Sequence, residues 1–194
     1  MLIYIGLFLL SAASLTFEII LTRIFSVAQF YHFAFMVVSL ALLGFGASGT
    51  FLSLFPRIKT HASDRLLPAL AWAFMLTVLG SYLLILYVPF DSFRVLRDWR
   101  QVAVLMMHYI ALATPFFCSG VAVSVLLATR PQEIGRVYAA NLAGSAAGCL
   151  LAIGVPGLVG GEGVILLCAV LGLIAVFCFQ GACPSRNPPE RAPG

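Results

Sequence analysis

The chain has 194 residues, of which 62% are hydrophobic and 9% charged, and its mean hydropathy is +1.07. Soluble domains carry about 25% charged residues, so this composition excludes a single water-exposed globular core and indicates an integral membrane protein. The formal charge of +4 and the pI near 9.0 come from residues between apolar runs. They report membrane topology and attraction to anionic lipid, and no basic cluster interleaved with aromatics marks a nucleic-acid surface.

Six apolar runs follow one another, near 2–25, 30–55, 67–90, 101–129, 137–157 and 163–181. A hydrocarbon core about 30 Å thick needs roughly 20 residues of helix, so the expected fold is an all-α bundle of six transmembrane helices over 1–181. The intervening segments "PRIKTHASDR" (56–65), "DSFRVLRDWR" (91–100) and "RPQEIGR" (130–136) hold twelve of the eighteen charged residues. None is long enough for a folded module.

The first run contains "SAAS" (11–14), which has the small residues of a signal-peptidase site. No Lys or Arg precedes it, and apolar sequence continues well beyond it, unlike a secretory signal. It reads as the first membrane helix. Late in this run stand Glu18 and Arg23; His32 opens the second run and His108 lies early in the fourth. Ionisable groups at membrane depth are costly and usually face the protein interior. These four therefore form a candidate intramembrane polar cluster, as a proton path, a cation site or a structural ion pair with Arg23 snorkelling to headgroups.

The second run carries Gly44 and Ser48 four residues apart, and the fifth repeats that spacing in Ala140, Gly144, Gly148 and Ala152. Residues at this spacing share a helix face, and small ones let two backbones approach where lipid supplies no hydrophobic drive for association. Both are expected packing seams, and these two helices are expected to form the central contact. In the fourth run, Pro115 is expected to kink the helix, with neighbours satisfying the freed backbone. Arg136, Tyr138 and Asn141 form a polar head on the fifth run: Tyr138 as an interfacial anchor, Asn141 as a bond across to another helix.

"GGEG" (160–163) has the composition of an adenosyl-cofactor loop, but position 166 is Leu, so no G-x-G-x-x-G is completed. It reads as the tight turn before the sixth helix. The last stretch, "CPSRNPPERAPG", cannot form a core; residues 182–194 are expected to be a flexible tail or linker stub. Cys118, Cys149, Cys168, Cys178 and Cys183 contain no C-x-x-C and read as small buried hydrophobes, so no metal site is expected. No catalytic triad, paired-carboxylate site or phosphate loop is present, so no cofactor is implied and the chain alone is not expected to be an enzyme.

Seven basic residues (Arg57, Lys59, Arg65, Arg130, Arg136, Arg186 and Arg191) fall on the side of the termini, against Arg23, Arg94, Arg97 and Arg100 on the other. The positive-inside rule then places both termini in the cytoplasm. At an offset of 100 residues, Leu42, Gly44, Ala47 and Pro56 coincide with Leu142, Gly144, Ala147 and Pro156. A three-helix unit duplicated in this way is inverted in its second copy, as in many transporters.

Two ordered blocks carry a family resemblance. "FEIILTRIFSVAQFYHFAFMVVSLALLGFGASG" (17–49) and "GRVYAANLAGSAAGCLLAIGVPGLVG" (135–160) resemble the membrane domain of bacterial spermidine-synthase-like proteins. In the first block the resemblance rests on Glu18, Thr22, Arg23 and the "SLALLGFG" run. In the second it rests on Gly135, Arg136, Tyr138, Ala139 and Asn141, followed by the Gly-x-x-x-Gly seam. Between about 56 and 114 only hydropathy matches. The family places such a region before a cytoplasmic aminopropyltransferase-like or methyltransferase-like domain, and residues of that domain are not in this sequence. The resemblance implies an inner-membrane module and does not settle that module's own role; the leading expectation is that it anchors a cytoplasmic aminopropyltransferase-like domain or partner, with a membrane-embedded pocket as a further expectation. Two other expectations stand beside it: a small inverted-repeat transporter with Glu18 as coupling group, and a structural subunit docking other membrane subunits.

Overall fold

A computed structural model describes residues 1–28, 31–55, 63–88 and 99–182. They form six long helices: α1 (Leu2–Ala28), α2 (Tyr31–Leu54), α3 (Ser63–Tyr87), α4 (Trp99–Thr129), α5 (Ile134–Gly154) and α6 (Pro156–Ala182). All six are long and apolar enough to cross a membrane. The expected tail with Cys183, the His32 side chain and the basic segments within 56–62 and 89–98 lie outside the described residues.

Local chemistry sets the breaks. Pro131 lacks an N–H and disfavours helical geometry in the residue before it; α4 ends at Thr129, and Pro131–Glu133 forms a single 3-10 turn. Between α5 and α6 the reversal starts earlier than "GGEG". Only Val155 separates the two helices, Pro156 begins α6, and the chain bends again at Gly160 (φ 72°, ψ 174°). That conformation is essentially restricted to glycine, so one helical turn sits inside what the sequence reads as a loop. Within α4, Pro115 cannot bond the carbonyl of Ala111. The Ser81 hydroxyl on α3 donates to that carbonyl at 2.8 Å, satisfying it from a neighbouring helix as membrane burial demands.

The outside of the bundle is apolar, with Phe35, Leu42, Ile110, Leu150, Ile153 and Phe177 exposed. Inside, Phe17, Phe74, Phe116 and Phe179 are fully buried in a core of mainly Leu, Val, Ile and Ala side chains. Contact pairs fix the helix directions. Gly144 meets Phe8 and Gly148 meets Ala12, so α1 and α5 run parallel. Gly44 meets Phe116 and Gly120 meets Ser48, so α2 and α4 run parallel. Gly6 against Phe179 and Gly161 against Ile24 make α6 antiparallel to α1. Arg130, at the end of α4, shares a pocket with Met1–Tyr4 and Ala182, so α4 is antiparallel to α1 as well.

The packing repeats when α1, α2 and α3 are exchanged with α4, α5 and α6. The α1–α5 contact matches α4–α2, α1–α6 matches α4–α3, and α3–α6 maps onto itself. The correspondence reaches single residues: Gly144 on Phe8 and Gly148 on Ala12 match Gly44 on Phe116 and Ser48 on Gly120. Because α1 and α4 are antiparallel, the two three-helix units are inverted. One expectation is corrected. The two small-residue seams do not meet each other; α5 docks on α1 and α2 docks on α4. Four-residue spacing identifies a face that tolerates close approach, but the partner is whichever helix offers an unobstructed backbone.

Candidate functional site

Where α5 leans on α1 and stands off α2 and α4, a polar pocket of about 360 Å³ opens inside the bundle. Helix α1 supplies Ser11, Ser14 and Leu15; α2 supplies Phe45 and Ser48; α4 supplies Ser119, Gly120, Val123 and Ser124; α5 supplies Asn141 and Ser145. Six hydroxyls and one carboxamide thus converge from four helices, and no ionisable side chain lines the space. Ser11 and Ser119 occupy equivalent places in the two repeats, one turn's fraction from Ala12 and Gly120 in the matched contacts. The pocket therefore lies at the interface between repeats.

Its α1–α5 wall is held by polar bonds. The Ser11 hydroxyl donates to Oδ1 of Asn141 at 2.8 Å, which is the interhelical bond expected of Asn141. Behind it the Thr16 hydroxyl lies 2.7 Å from the Ala12 carbonyl and 3.0 Å from the Gly148 carbonyl across the seam. On α2 the Ser48 hydroxyl turns back to the Phe45 carbonyl at 2.6 Å. Ser14 differs from all of these. It is 2% exposed, and its Oγ has no hydrogen-bond partner among the described residues.

No protein family, curated protein or solved structure matches the chain. The site therefore rests on its geometry.

The other candidate residues are dispersed. Glu18 is half-buried and Arg23 exposed; no ion pair joins them among the described residues, and the bond at this turn is from the Thr22 hydroxyl to the Glu18 backbone carbonyl, 2.8 Å. His108 is 4% exposed, with Nδ1 2.8 Å from the Val104 carbonyl of its own helix. Neither Glu18 nor His108 lines the polar pocket, although Glu18 follows Ser11 and Ser14 on one face of α1, one turn beyond Ser14. At the start of α5, Arg136 and Tyr138 are exposed. Arg130 pairs with Glu133 at 3.0 Å and Arg136 approaches it at 3.8 Å. Such surface pairs contribute about 0–1 kcal/mol and brace the α4–α5 turn.

The pocket serines are what sequence reading missed. Hydroxyls in membrane helices ordinarily bond the carbonyl four residues back, as Thr77 does to Ala73 and Thr129 to Val125, and so read as neutral small residues. Their common signal is position: Ser11 and Asn141 lie in the first half of α1 and α5 and Ser145 at the middle of α5, while Ser48, Ser119 and Ser124 lie in the second half of α2 and α4, which run opposite to that pair.

Proposed function

We propose that this chain is the membrane module of a spermidine-synthase-like protein in a bacterial inner membrane, with both termini cytoplasmic. The module anchors a cytoplasmic catalytic domain or partner and holds a small ligand in its intramembrane pocket. The observation that carries the pocket is the convergence of six hydroxyls and Asn141 inside an apolar bundle. Polar groups at membrane depth are retained where they bind or pair, and these are more numerous than the bundle's own hydrogen bonds use. The anchoring part rests on the two sequence blocks around Glu18 and Asn141.

The tagged chain, purified in mild detergent, should bring with it a soluble cofactor-binding enzyme identifiable by mass spectrometry. A chain that elutes alone contradicts stand-alone anchoring.

A second reading, a small transporter, is favoured by one asymmetry. The repeat makes the α1–α2 and α4–α5 contacts equivalent, yet α1 packs on α2 much more extensively than α4 on α5. Inverted repeats that differ in this way are how a central site is open on one side and closed on the other. Glu18, one turn beyond the pocket, is the coupling group in this reading. Uptake into proteoliposomes that is lost in Glu18→Gln supports transport; solute binding without uptake leaves the module reading.

A further inference from the structure

We infer that the polar pocket is a one-sided site, reached from the side of the chain termini past α5, and that the Phe45 ring closes it towards the other side. This rests on reading the pocket as a space that small molecules enter. The inverted repeat supplies the comparison. The matched contacts that pair Gly44 with Gly144 and Ser11 with Ser119 also pair Phe45 with Ser145, Ala41 with Asn141, Leu15 with Val123 and Thr16 with Ser124. Two units with identical linings would leave the pocket equally open to both sides, so the pairs that differ mark the side that is shut.

They differ in one direction. Where α5 gives the pocket Ser145 and Asn141, α2 gives it the Phe45 ring, and Ala41 is buried in the core. Where α4 gives it Val123 and Ser124, α1 gives it the larger Leu15, and the Thr16 hydroxyl turns away to the Ala12 and Gly148 carbonyls. Phe45 is 37% exposed and is the outer ring of a stack: its centroid lies 6.0 Å from that of Phe116, which lies 5.8 Å from that of the buried Phe17. The α1–α2 half is thus filled and apolar, and the α4–α5 half is polar and open.

These halves face opposite sides of the bundle. The α4–α5 turn lies with the termini, since Arg130 shares a pocket with Met1–Tyr4 and Ala182, and the α1–α2 join lies at the far end. Packing follows the side chains, with α1 on α2 much more extensively than α4 on α5. On the side of the termini the lining comes close to water. Ser124 is five residues from the end of α4 and Asn141 seven from the start of α5, about 8 and 10 Å at 1.5 Å per residue, and Tyr138, one turn before Asn141, is exposed. The asymmetry is written in side chains as well as in helix placement, so moving the helices alone does not open the far side; the Phe45 ring has to leave.

The test is thiol labelling of the full chain, cysteine-free except for Ser145→Cys, in right-side-out and inverted membrane vesicles. A tag at the C-terminus identifies the side of the termini by its accessibility to protease. A membrane-impermeant sulfonated maleimide should label at least about 10-fold faster from that side than from the other, a barrier difference of about 1.4 kcal/mol. Adding Phe45→Ala should abolish most of the difference by raising the far-side rate. Ser145→Phe, read with Ser124→Cys as the reporter, should slow labelling from the side of the termini about 10-fold, and it keeps the test decisive where Phe45→Ala does not fold. Equal labelling from both sides in the parent overturns the one-sided site. A far-side rate that Phe45→Ala leaves unchanged in a folded protein overturns the assignment of Phe45. Labelling by membrane-permeant N-ethylmaleimide alone overturns access from water while leaving the pocket standing; labelling by neither reagent removes the pocket reading as well.

Discussion

The α1–α5 and α2–α4 seams occupy equivalent places in the two repeats and are built differently. In the first, Gly144 and Gly148 lie on bare backbone: a Cβ on Gly148 would stand 2.5 Å from the Ala12 carbonyl oxygen, and one on Gly144 would meet the Phe8 carbonyl. Polar bonds from Ser11 and Thr16 stitch that seam. In the second, a Cβ on Gly44 would stand 2.8 Å from both the Ala113 carbonyl oxygen and Phe116 Cβ, and aromatic rings fill the remainder. Phe45 lies 6.0 Å from Phe116 and Phe51 lies 5.5 Å from Phe117 between ring centroids. Both pairings thus rest on close backbone approach, to which the first adds interhelical hydrogen bonds and the second aromatic packing. The polar seam is the one that carries the Asn141 wall of the pocket.

Substitutions that test this contrast fall in order of effect. Gly144→Val forces a branched side chain into the Phe8 backbone, which cannot rotate away. We expect a loss of about 3 kcal/mol or more, seen as failure to elute as a single species from size-exclusion after mild heating. Gly44→Ala meets Ala113 backbone and Phe116 Cβ, and should cost about 1–3 kcal/mol in the same melting assay. Gly120→Ala meets first the Ser48 hydroxyl, at 2.5 Å, the end of a side chain that can turn. Its expected cost is about 1 kcal/mol, and Ser48→Ala in the same chain should recover part of it in a double-mutant cycle. Asn141→Leu removes the bond to Ser11; membrane hydrogen bonds of this kind average about 0.6 kcal/mol, so a small drop in melting temperature is expected. A larger loss on Asn141→Leu than on Gly44→Ala would invert the ranking and with it the contrast between seams.

Much of the fold was legible in the sequence because hydropathy and length suffice for helices in lipid. The six expected runs match α1 to α6 closely, apart from α6, where the Gly-rich stretch hid a helical turn ahead of the bend at Gly160. The seams were legible at Gly44, Ser48, Gly144 and Gly148 for the same local reason. Their partners were not, since Phe8 and Ala12 carry no mark that α5 will rest on them. The ionisable residues drew attention because they are individually expensive. Ser11, Ser14, Ser48, Ser119, Ser124 and Ser145 are individually cheap, and only their convergence from four helices makes a site.

The central claim is that two inverted units pair α1 with α5 and α2 with α4 around the polar pocket. Its most direct test is disulfide formation between paired cysteines in a cysteine-free background, measured in intact membranes. Ser11→Cys with Asn141→Cys, and Ser48→Cys with Gly120→Cys, should each cross-link rapidly, while Ala47→Cys with Ala147→Cys, one turn along from the seam glycines, should stay reduced. Rapid cross-linking of the Ala47 and Ala147 positions, with the other two pairs reduced, would place α2 directly on α5 and contradict this pairing.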